Sequence, residues 1–477
     1  MERLFWEGGA IDAPGMAARE ATAEEKHFRR SPVVESHLTA ISEMEIGHTK
    51  ASRLISARGL AAVLDHRWVA VLLCALAALK LLMMWGEISA PLDPEDFGIY
   101  YLSAQLLHHG ANPYLTDLGP AAAKLGFDAG VATRATDPPA FLLAVEPLTM
   151  LPLEASQRVW FAINLAALVL AIFLLLGRRE SGLTGTSALS LAVLGIIFPP
   201  VGNDLVEGQS KTQILLLLVI MIRMLDGKRE RSAGLVLAAA SLLRVFPLLL
   251  LGYFLIRRRW RVVTYTLVGL AVGGIVTMFA AGVSNSFAFL FHAPAFLTRR
   301  EFLSNPCNIS INAVISRGFW FVYGPNLDWW PRLACRAAVV VADLALFASV
   351  ARATPSPSHD DRDWRALSLW TLAAVTLTPT AWFFDLSLML IPFLLMASGV
   401  AKGTVSARAY AMATTTYLLA VAIGVATTTL QTHGSTMVWE RIENLDFAVL
   451  GVGFLATLWF SVDGWATRSR SPIGAYP

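Results

Sequence analysis

The sequence predicts an all-α polytopic membrane protein with about 10–12 transmembrane helices. Three observations lead there. The 477 residues are 55% hydrophobic and only 15% charged, against about 25% charged in soluble domains. The mean hydropathy is +0.56. Apolar runs of roughly 20 residues, the length that crosses a bilayer core as a helix, recur along the chain. Helices are required because lipid cannot satisfy exposed backbone groups.

Residues 1–66 are polar, mixed in charge and without an apolar signal core. They read as a cytoplasmic, partly disordered tail rather than a cleaved leader. Arg29, Arg30, Lys50, Arg53, Arg58 and Arg67 precede the first apolar run. Residues 67–466 form the predicted membrane domain, and 467–477 a cytoplasmic C-terminal tail. Long runs fall near 67–86, 157–177, 262–281, 332–352, 407–428 and 445–465. Shorter ones lie near 187–200, 212–225, 232–244, 246–257, 366–380 and 383–399, and these read as tilted, broken or re-entrant. The run Pro138–Pro152 is apolar but short and proline-rich, and reads as interfacial or half-inserted.

Lysine and arginine bias sets the orientation. With the N-terminus inside, the short inner loops carry Arg178-Arg179, Lys228-Arg229-Glu230-Arg231, Arg257-Arg258-Arg259 with Arg261, Arg362 with Arg365, Lys402 with Arg408, and Arg468 with Arg470. Two long outer loops, roughly 87–156 and 282–331, are sparser in basic residues. This assignment needs a helix break at Arg244-Val245-Phe246-Pro247 and another at Thr378-Pro379-Thr380-Ala381-Trp382. Proline sits in both, where it removes a backbone donor.

Polar features then collect on the outer face. Glu95 and Asp96 precede Tyr100 and Tyr101; Asn203, Asp204, Glu207 and Gln209 form a second group. Arg244 and Asp385 lie at the breaks, and Asn308, Ser310 and Asn312 occupy the second long loop. Ionisable groups at membrane depth cost about 2.5–3.5 kcal/mol on insertion scales, so Arg244 and Asp385 need partners or water. Each feature also has a structural reading. Asp96 can favour a helix dipole, Glu95 be a solvated neighbour, Gln209 crosslink helices, Arg244 snorkel to lipid phosphate, Asn308, Ser310 and Asn312 supply turn chemistry, and Asp385 pair with Arg244.

Nucleotide-binding glycine motifs, zinc motifs and a serine-nucleophile elbow are missing from the sequence. The three cysteines include no Cys-x-x-Cys. His108 and His109 are adjacent on a predicted helix and face different directions. A net charge of +3 does not suggest nucleic acid. No metal or other cofactor is expected.

The order Asp96-Phe97-x-x-Tyr100-Tyr101-x-x-Ala104, Gly110-Ala111-Asn112-Pro113-Tyr114, Pro138-Pro139-x-Phe141, Pro147-Leu148, Leu151-Pro152, Trp160, Asn164 and Gly208-Gln209 resembles glycosyltransferase family 87. The basic residue before proline near 244–247 and the Asn/Ser-rich stretch 308–312 fit the same resemblance, which covers about 67 to 400. It implies a GT-C fold and a polyprenyl-phosphate-sugar donor, with mannose the expected sugar. It also implies inverting transfer to a lipid or glycan acceptor, and a catalytic aspartate in the first outer loop, which Asp96 matches. Expected substrate-binding residues are Arg244, Gln209, Tyr100, Tyr101, Asn308, Asn312, Trp382 and Asp385. Lys211, Arg299 and Arg300 are secondary candidates for contacting the donor phosphate. The chain departs from many relatives in having Arg244 for lysine, and Phe384 where a histidine follows the tryptophan. The expected location is the inner (plasma) membrane. The competing class is a transporter or flippase, which broken helices and intramembrane charges also suit.

Overall fold

The computed structural model describes residues 65–89, 95–130, 132–177, 183–305, 308–354 and 364–401. The expected segments 407–428 and 445–465 and both terminal tails beyond these bounds lie outside the described residues, as does the side chain of Glu95. Among the described residues the regular structure is helical, with one isolated β-bridge between Asn308 and Trp382.

The elements are α1 (Arg67–Ser89), α2 (Glu95–His108), α3 (Gly119–Leu125), α4 (Pro139–Val145), α5 (Leu153–Leu176), α6 (Gly185–Ile197), α7 (Pro199–Val206), α8 (Lys211–Asp226), α9 (Glu230–Leu243), α10 (Leu250–Ile256), α11 (Trp260–Ala281), α12 (Val283–Leu297), α13 (Arg300–Ser304), α14 (Ile311–Tyr323), α15 (Trp329–Ala353), α16 (Trp364–Thr376) and α17 (Leu390–Ala401). Short 3₁₀ segments, Glu146–Met150, Phe246–Leu249 and Phe383–Met389, continue α4, precede α10 and precede α17. Among the described residues five helical stretches are long and apolar enough to cross a membrane, or six if the bent pair α6–α7 is one span. This is a multi-pass membrane architecture. The two long outer loops of the sequence reading are largely helical: α2 to α4 occupy the first, and α12 to α14 the second.

Both expected breaks are present. Alpha-helix α9 stops at Leu243 and the chain extends at Arg244 before Pro247. Helix α16 stops at Thr376, and Trp382 is extended before the next 3₁₀ turn. Prolines also bend α6 against α7 by 54°. Pro199 and Pro200 donate no backbone hydrogen bond, and Lys80 of α1 reaches across to the carbonyl of Ile197 at 3.0 Å. An intramembrane lysine is thereby satisfied by backbone at a helix break, the arrangement expected of charge at that depth.

Helices α5, α8, α9 and α11 pack side by side, and the buried α16–α17 hairpin with its 3₁₀ turn packs against α5, α7, α8, α10 and α15. Small residues set the closest approach. A Cβ on Gly234 would stand 2.5 Å from the Val262 carbonyl oxygen, and one on Gly269 2.7 Å from Ala238 Cβ. Lipid tails are as apolar as leucine, so close van der Waals contact between small residues is what holds membrane helices together. The outward faces of α1, α11 and α15 carry exposed Leu, Val and Phe.

Helices α8 and α9 also define two ends of the bundle. Lys211 begins α8 and Arg244 caps the end of α9, whereas the connection between them, Gly227-Lys228-Arg229, lies at their other ends. At 1.5 Å per residue the two ends are about 20 Å apart.

Candidate functional site

A cavity of about 690 Å³ opens where α2, the α7–α8 connection, the end of α9 and the α16–α17 break meet. Asp96, Tyr100, Asp137, Gln209, Lys211, Arg244, Trp382 and Asp385 all line it.

The turn Glu207-Gly208-Gln209-Ser210 forms part of its wall through Glu207 and Gln209. Gly208 has φ +69°, and a Cβ there would sit 2.6 Å from Phe97 Cβ. Left-handed backbone and close approach both demand glycine at this position. The turn is clamped from behind. Trp160 Nε1 donates to the Gly208 carbonyl at 2.6 Å, and Asn164 Nδ2 to the Gln209 carbonyl at 2.7 Å. Asn164 Oδ1 in turn accepts from Thr212 Oγ1 and Gln213 Nε2. Asp204 accepts from the backbone N–H groups of Lys211 and Thr212, at 3.1 and 3.0 Å, occupying two of the amides that open α8. Trp160, Asn164 and Asp204 therefore work through backbone to aim Gln209 and Lys211.

Gln209 joins the acidic and basic sides of the cavity. Its Nε2 donates to Asp96 Oδ2. Its Oε1 accepts from the Tyr100 hydroxyl at 2.8 Å and from Arg244 Nη2 at 3.4 Å. Arg244 Nη2 also donates to Tyr100 Oη at 3.0 Å, Nε to Ser210 Oγ at 2.8 Å, and Nη1 to the Asp137 carboxylate. The guanidinium lies 4.9 Å from the Phe141 ring centre and 5.5 Å from that of Tyr100. A planar, donor-only cation is fixed on several sides, which arginine allows and lysine does not. Burial pushes the Tyr100 hydroxyl well above its ordinary value, so Tyr100 remains a proton donor to Gln209 across the physiological range.

A second cation stands beside this network. Lys211 Nζ pairs with Asp385 Oδ1 at 2.7 Å, and both side chains are 7% exposed. Lys211 also lies 5.5 Å from the Phe384 ring centre and 5.7 Å from that of Phe246. Asp385 Oδ2 accepts from the Trp382 backbone N–H at 2.6 Å, which holds the extended residue against the following 3₁₀ turn. Phe384, at the position where the resemblance leads one to look for histidine, is thus a ring against the lysine.

Several expectations change at this point. Asp385 pairs with Lys211, and the carboxylate on Arg244 belongs to Asp137. Asp137 was missed because it stands in a loop beside Pro138-Pro139 and no periodicity marks it; the signal available was an acid abutting a motif of the resemblance. Lys211 is the principal second cation. Arg299 and Arg300 lie outside the cavity lining, over the rings of Phe296 and Trp320. Tyr101 points away and donates to the Leu151 carbonyl at 2.9 Å. Asn308 is buried, accepts from the backbone N–H groups of Ser310 and Ala381, and donates to the Phe302 carbonyl. It pins the second long loop to the Trp382 break, so its link to the cavity runs through Trp382. Asn312 accepts from Ser316 Oγ within α14. Tyr101, Asn308 and Asn312 do not line the cavity. Asp96, Tyr100, Gln209, Arg244, Trp382 and Asp385 do.

The family model described as Glycosyltransferase family 87 matches residues 136–379, about half of the chain. The chain belongs to glycosyltransferase family 87. The match contains Asp137, Gln209, Lys211 and Arg244, and stops short of Asp96 on one side and of Trp382 and Asp385 on the other. Two relatives are described as alpha-(1->3)-arabinofuranosyltransferase, from Mycobacterium tuberculosis strains CDC 1551 / Oshkosh and ATCC 25618 / H37Rv. Each is 27% identical over 266 residues, which is 54% of this chain and 57% of the relative. The chain therefore spans little more than half the length of these relatives. The clamp Trp160–Asn164–Gly208–Gln209, Lys211 and the Arg244–Asp137 pair all fall inside the matched region.

Proposed function

We propose that this family 87 protein is an inverting membrane glycosyltransferase that takes its sugar from a polyprenyl-phosphate donor and delivers it to a hydroxyl of a lipid or glycan acceptor. The observation that carries the reading is the bridge formed by Gln209 and Tyr100 between the Asp96 carboxylate and the Arg244 guanidinium in one cavity. Transfer with inversion needs a base on the acceptor and a cation on the leaving phosphate, and both are supplied there.

Asp96 takes the acceptor proton as the acceptor oxygen bonds to the anomeric carbon. The bond from that carbon to phosphate oxygen breaks, and its electron pair leaves on the polyprenyl phosphate. Charge on the phosphate rises through this step, so a fixed cation favours the transition state over the ground state. Arg244 is that cation, with Lys211 beside it. Because Asp137 and Asp385 neutralise the two cations, the phosphate is received by groups already oriented, and it shares or displaces those carboxylates. Trp382 and Tyr100 offer aromatic walls.

The names of the two relatives favour a second reading of the sugar. They support a pentofuranose, where the resemblance alone suggested mannose. The location proposed is the plasma (inner) membrane with a cytoplasmic N-terminus. Its support is that the cavity and the arginine-rich turns lie at opposite ends of α8 and α9, and basic loops stay inside.

The test is transfer by the full chain in detergent or vesicles, with radiolabelled polyprenyl-phosphate mannose and polyprenyl-phosphate arabinofuranose supplied in parallel with membrane lipid acceptors. A new glycoside from either donor, lost in Asp96→Asn, is the expected result. Uptake of label into vesicles without a new glycosidic bond would instead favour the transporter class.

A further inference from the structure

At the end of the bundle opposite the cavity, two turns lie against each other. One joins α8 to α9 through Lys228 and Arg229; the other joins α10 to α11 through Arg257, Arg258 and Arg259. They share an unusual backbone. Lys228 and Arg258 are the positive-φ non-glycine residues among those described, at +56° and +53°. Each is followed by a residue with ψ near +60°, Arg229 at 63° and Arg259 at 64°. Long basic side chains are thus held in a conformation that few non-glycine residues adopt.

The two turns are tied by Arg259 Nη1 and Glu230 Oε1 at 3.0 Å. They border a cleft of about 390 Å³ lined by Glu230, Arg257, Arg258, Arg259, Trp260 and Arg261. Among the described residues, Glu230 and Asp226 at these turns already have a cation each: Glu230 has Arg259, and Asp226 has Arg223 at 3.9 Å. Lys228, Arg229, Arg231, Arg258 and Arg261 leave a surplus of positive charge around the cleft, and all five are exposed.

The neighbourhood names the anion. Trp260, 59% exposed, is the first residue of α11, a helix long and apolar enough to cross the bilayer. Tryptophan at the end of such a helix marks the headgroup level. Below it on α11, Leu267, Val268, Val272, Ile275, Val276 and Phe279 are exposed, at helical spacing along one face. A cationic cleft thus continues into an apolar stripe of acyl-chain length. We propose that the Arg257–Arg261 turn and the start of α11 form a binding site for the headgroup of an anionic phospholipid, with its acyl chains along α11. Basic pockets at helix ends on the inner face suit such headgroups. A soluble phosphate would find the charge without the stripe, and a zwitterionic lipid the stripe without the charge match.

This site is independent of sugar transfer. Native mass spectrometry of the full-length, delipidated protein tests it, with titrations of phosphatidylglycerol, phosphatidylcholine and glycerol 3-phosphate. Phosphatidylglycerol is expected to be retained in preference to both others. The exposed double variant Arg258→Asn/Arg261→Gln is expected to bind it about 30-fold more weakly, from two juxtamembrane cations lost. Asparagine tolerates the left-handed backbone, and an unchanged melting temperature in neutral detergent verifies folding. Arg299→Gln/Arg300→Gln, at residues outside the cleft, is expected to bind as the parent does. Equal phosphatidylglycerol affinity in parent and Arg258→Asn/Arg261→Gln overturns the proposal. So does equal retention of phosphatidylcholine, or saturation by glycerol 3-phosphate alone.

Discussion

Arg244 and Arg258 occupy the two ends of the bundle and meet opposite surroundings. Arg244 is enclosed by Asp137, Ser210, Tyr100 and the Phe141 ring, and every nitrogen of its guanidinium has an acceptor. Arg258 is exposed on a turn crowded with other cations. Desolvated and fixed, a guanidinium acts on one anion in one orientation, at an energy water would screen away. Solvated and among its like, it adds to a field that attracts any nearby anionic surface and weakens with salt. The difference separates a cation suited to a developing charge in a reaction from one suited to holding a protein at a membrane face. Lys211 belongs with the first kind, because Asp385 and two aromatic rings enclose it.

The sharpest way to break this contrast is at Asp96, the acid tied to Arg244 through Gln209. Asp96→Asn keeps the shape and removes the base, and turnover should fall by about 10²–10⁴-fold in the donor-transfer assay. Unchanged turnover would remove Asp96 from the reaction and leave Arg244 as a structural cation.

The next largest effect is expected at the second pair. Lys211→Met leaves Asp385 buried without its cation, a loss of about 3–5 kcal/mol in unfolding free energy. Lys211→Met/Asp385→Leu should recover most of that stability, because isolated buried charge is what costs. If Lys211 also meets the donor phosphate, the stable double variant stays impaired in transfer; a double variant as active as the parent would make the pair purely architectural.

Arg244→Lys preserves charge and discards the planar fork. A decrease in kcat of roughly 10²-fold, the size of one lost oxyanion donor, would show that orientation at the cavity matters as much as charge. The same exchange at exposed Arg258 should leave kcat unaltered and stability within about 0.5 kcal/mol.

Tyr100→Phe is the mildest probe of the cavity. It removes the hydroxyl between Gln209 and Arg244, and a hydrogen bond to a charged group contributes about 1.5–3 kcal/mol. Because burial raises the Tyr100 pKa, the parent hydroxyl stays protonated well beyond neutrality. The pH–rate profile of Tyr100→Phe should therefore keep the parent's shape on its basic side while its height falls. A basic limb that disappears in the variant would mean that Tyr100 ionises within the working range.

Much of the fold was legible because lipid imposes length and composition on anything that crosses it. The runs at 67–86, 157–177, 262–281 and 332–352 became α1, α5, α11 and α15, with ends shifted by a few residues. The breaks at Arg244 and Trp382 followed from charge bias and proline chemistry. Of the candidate site, Arg244 and Asp385 were visible as charges at membrane depth, where charge is costly, whereas Asp96, Tyr100, Gln209 and Trp382 were singled out by their outer-face clustering and by the family resemblance. Asn308 and Tyr101 were singled out in the same way as that second group, since a buried side chain that satisfies backbone carbonyls or amides looks in sequence like one that awaits a ligand.

The sequence by itself determined a helical, multi-pass membrane protein with charge gathered at particular connections, because hydropathy and basic bias act locally along the chain. Only the tertiary structure decided which acid meets which base. Asp137 and Arg244 are 107 residues apart, and Lys211 and Asp385 further still. Such pairs form where helix ends converge, and that convergence is set by packing at small residues and by turns such as Gly208. Neither leaves a periodic trace in the order of amino acids.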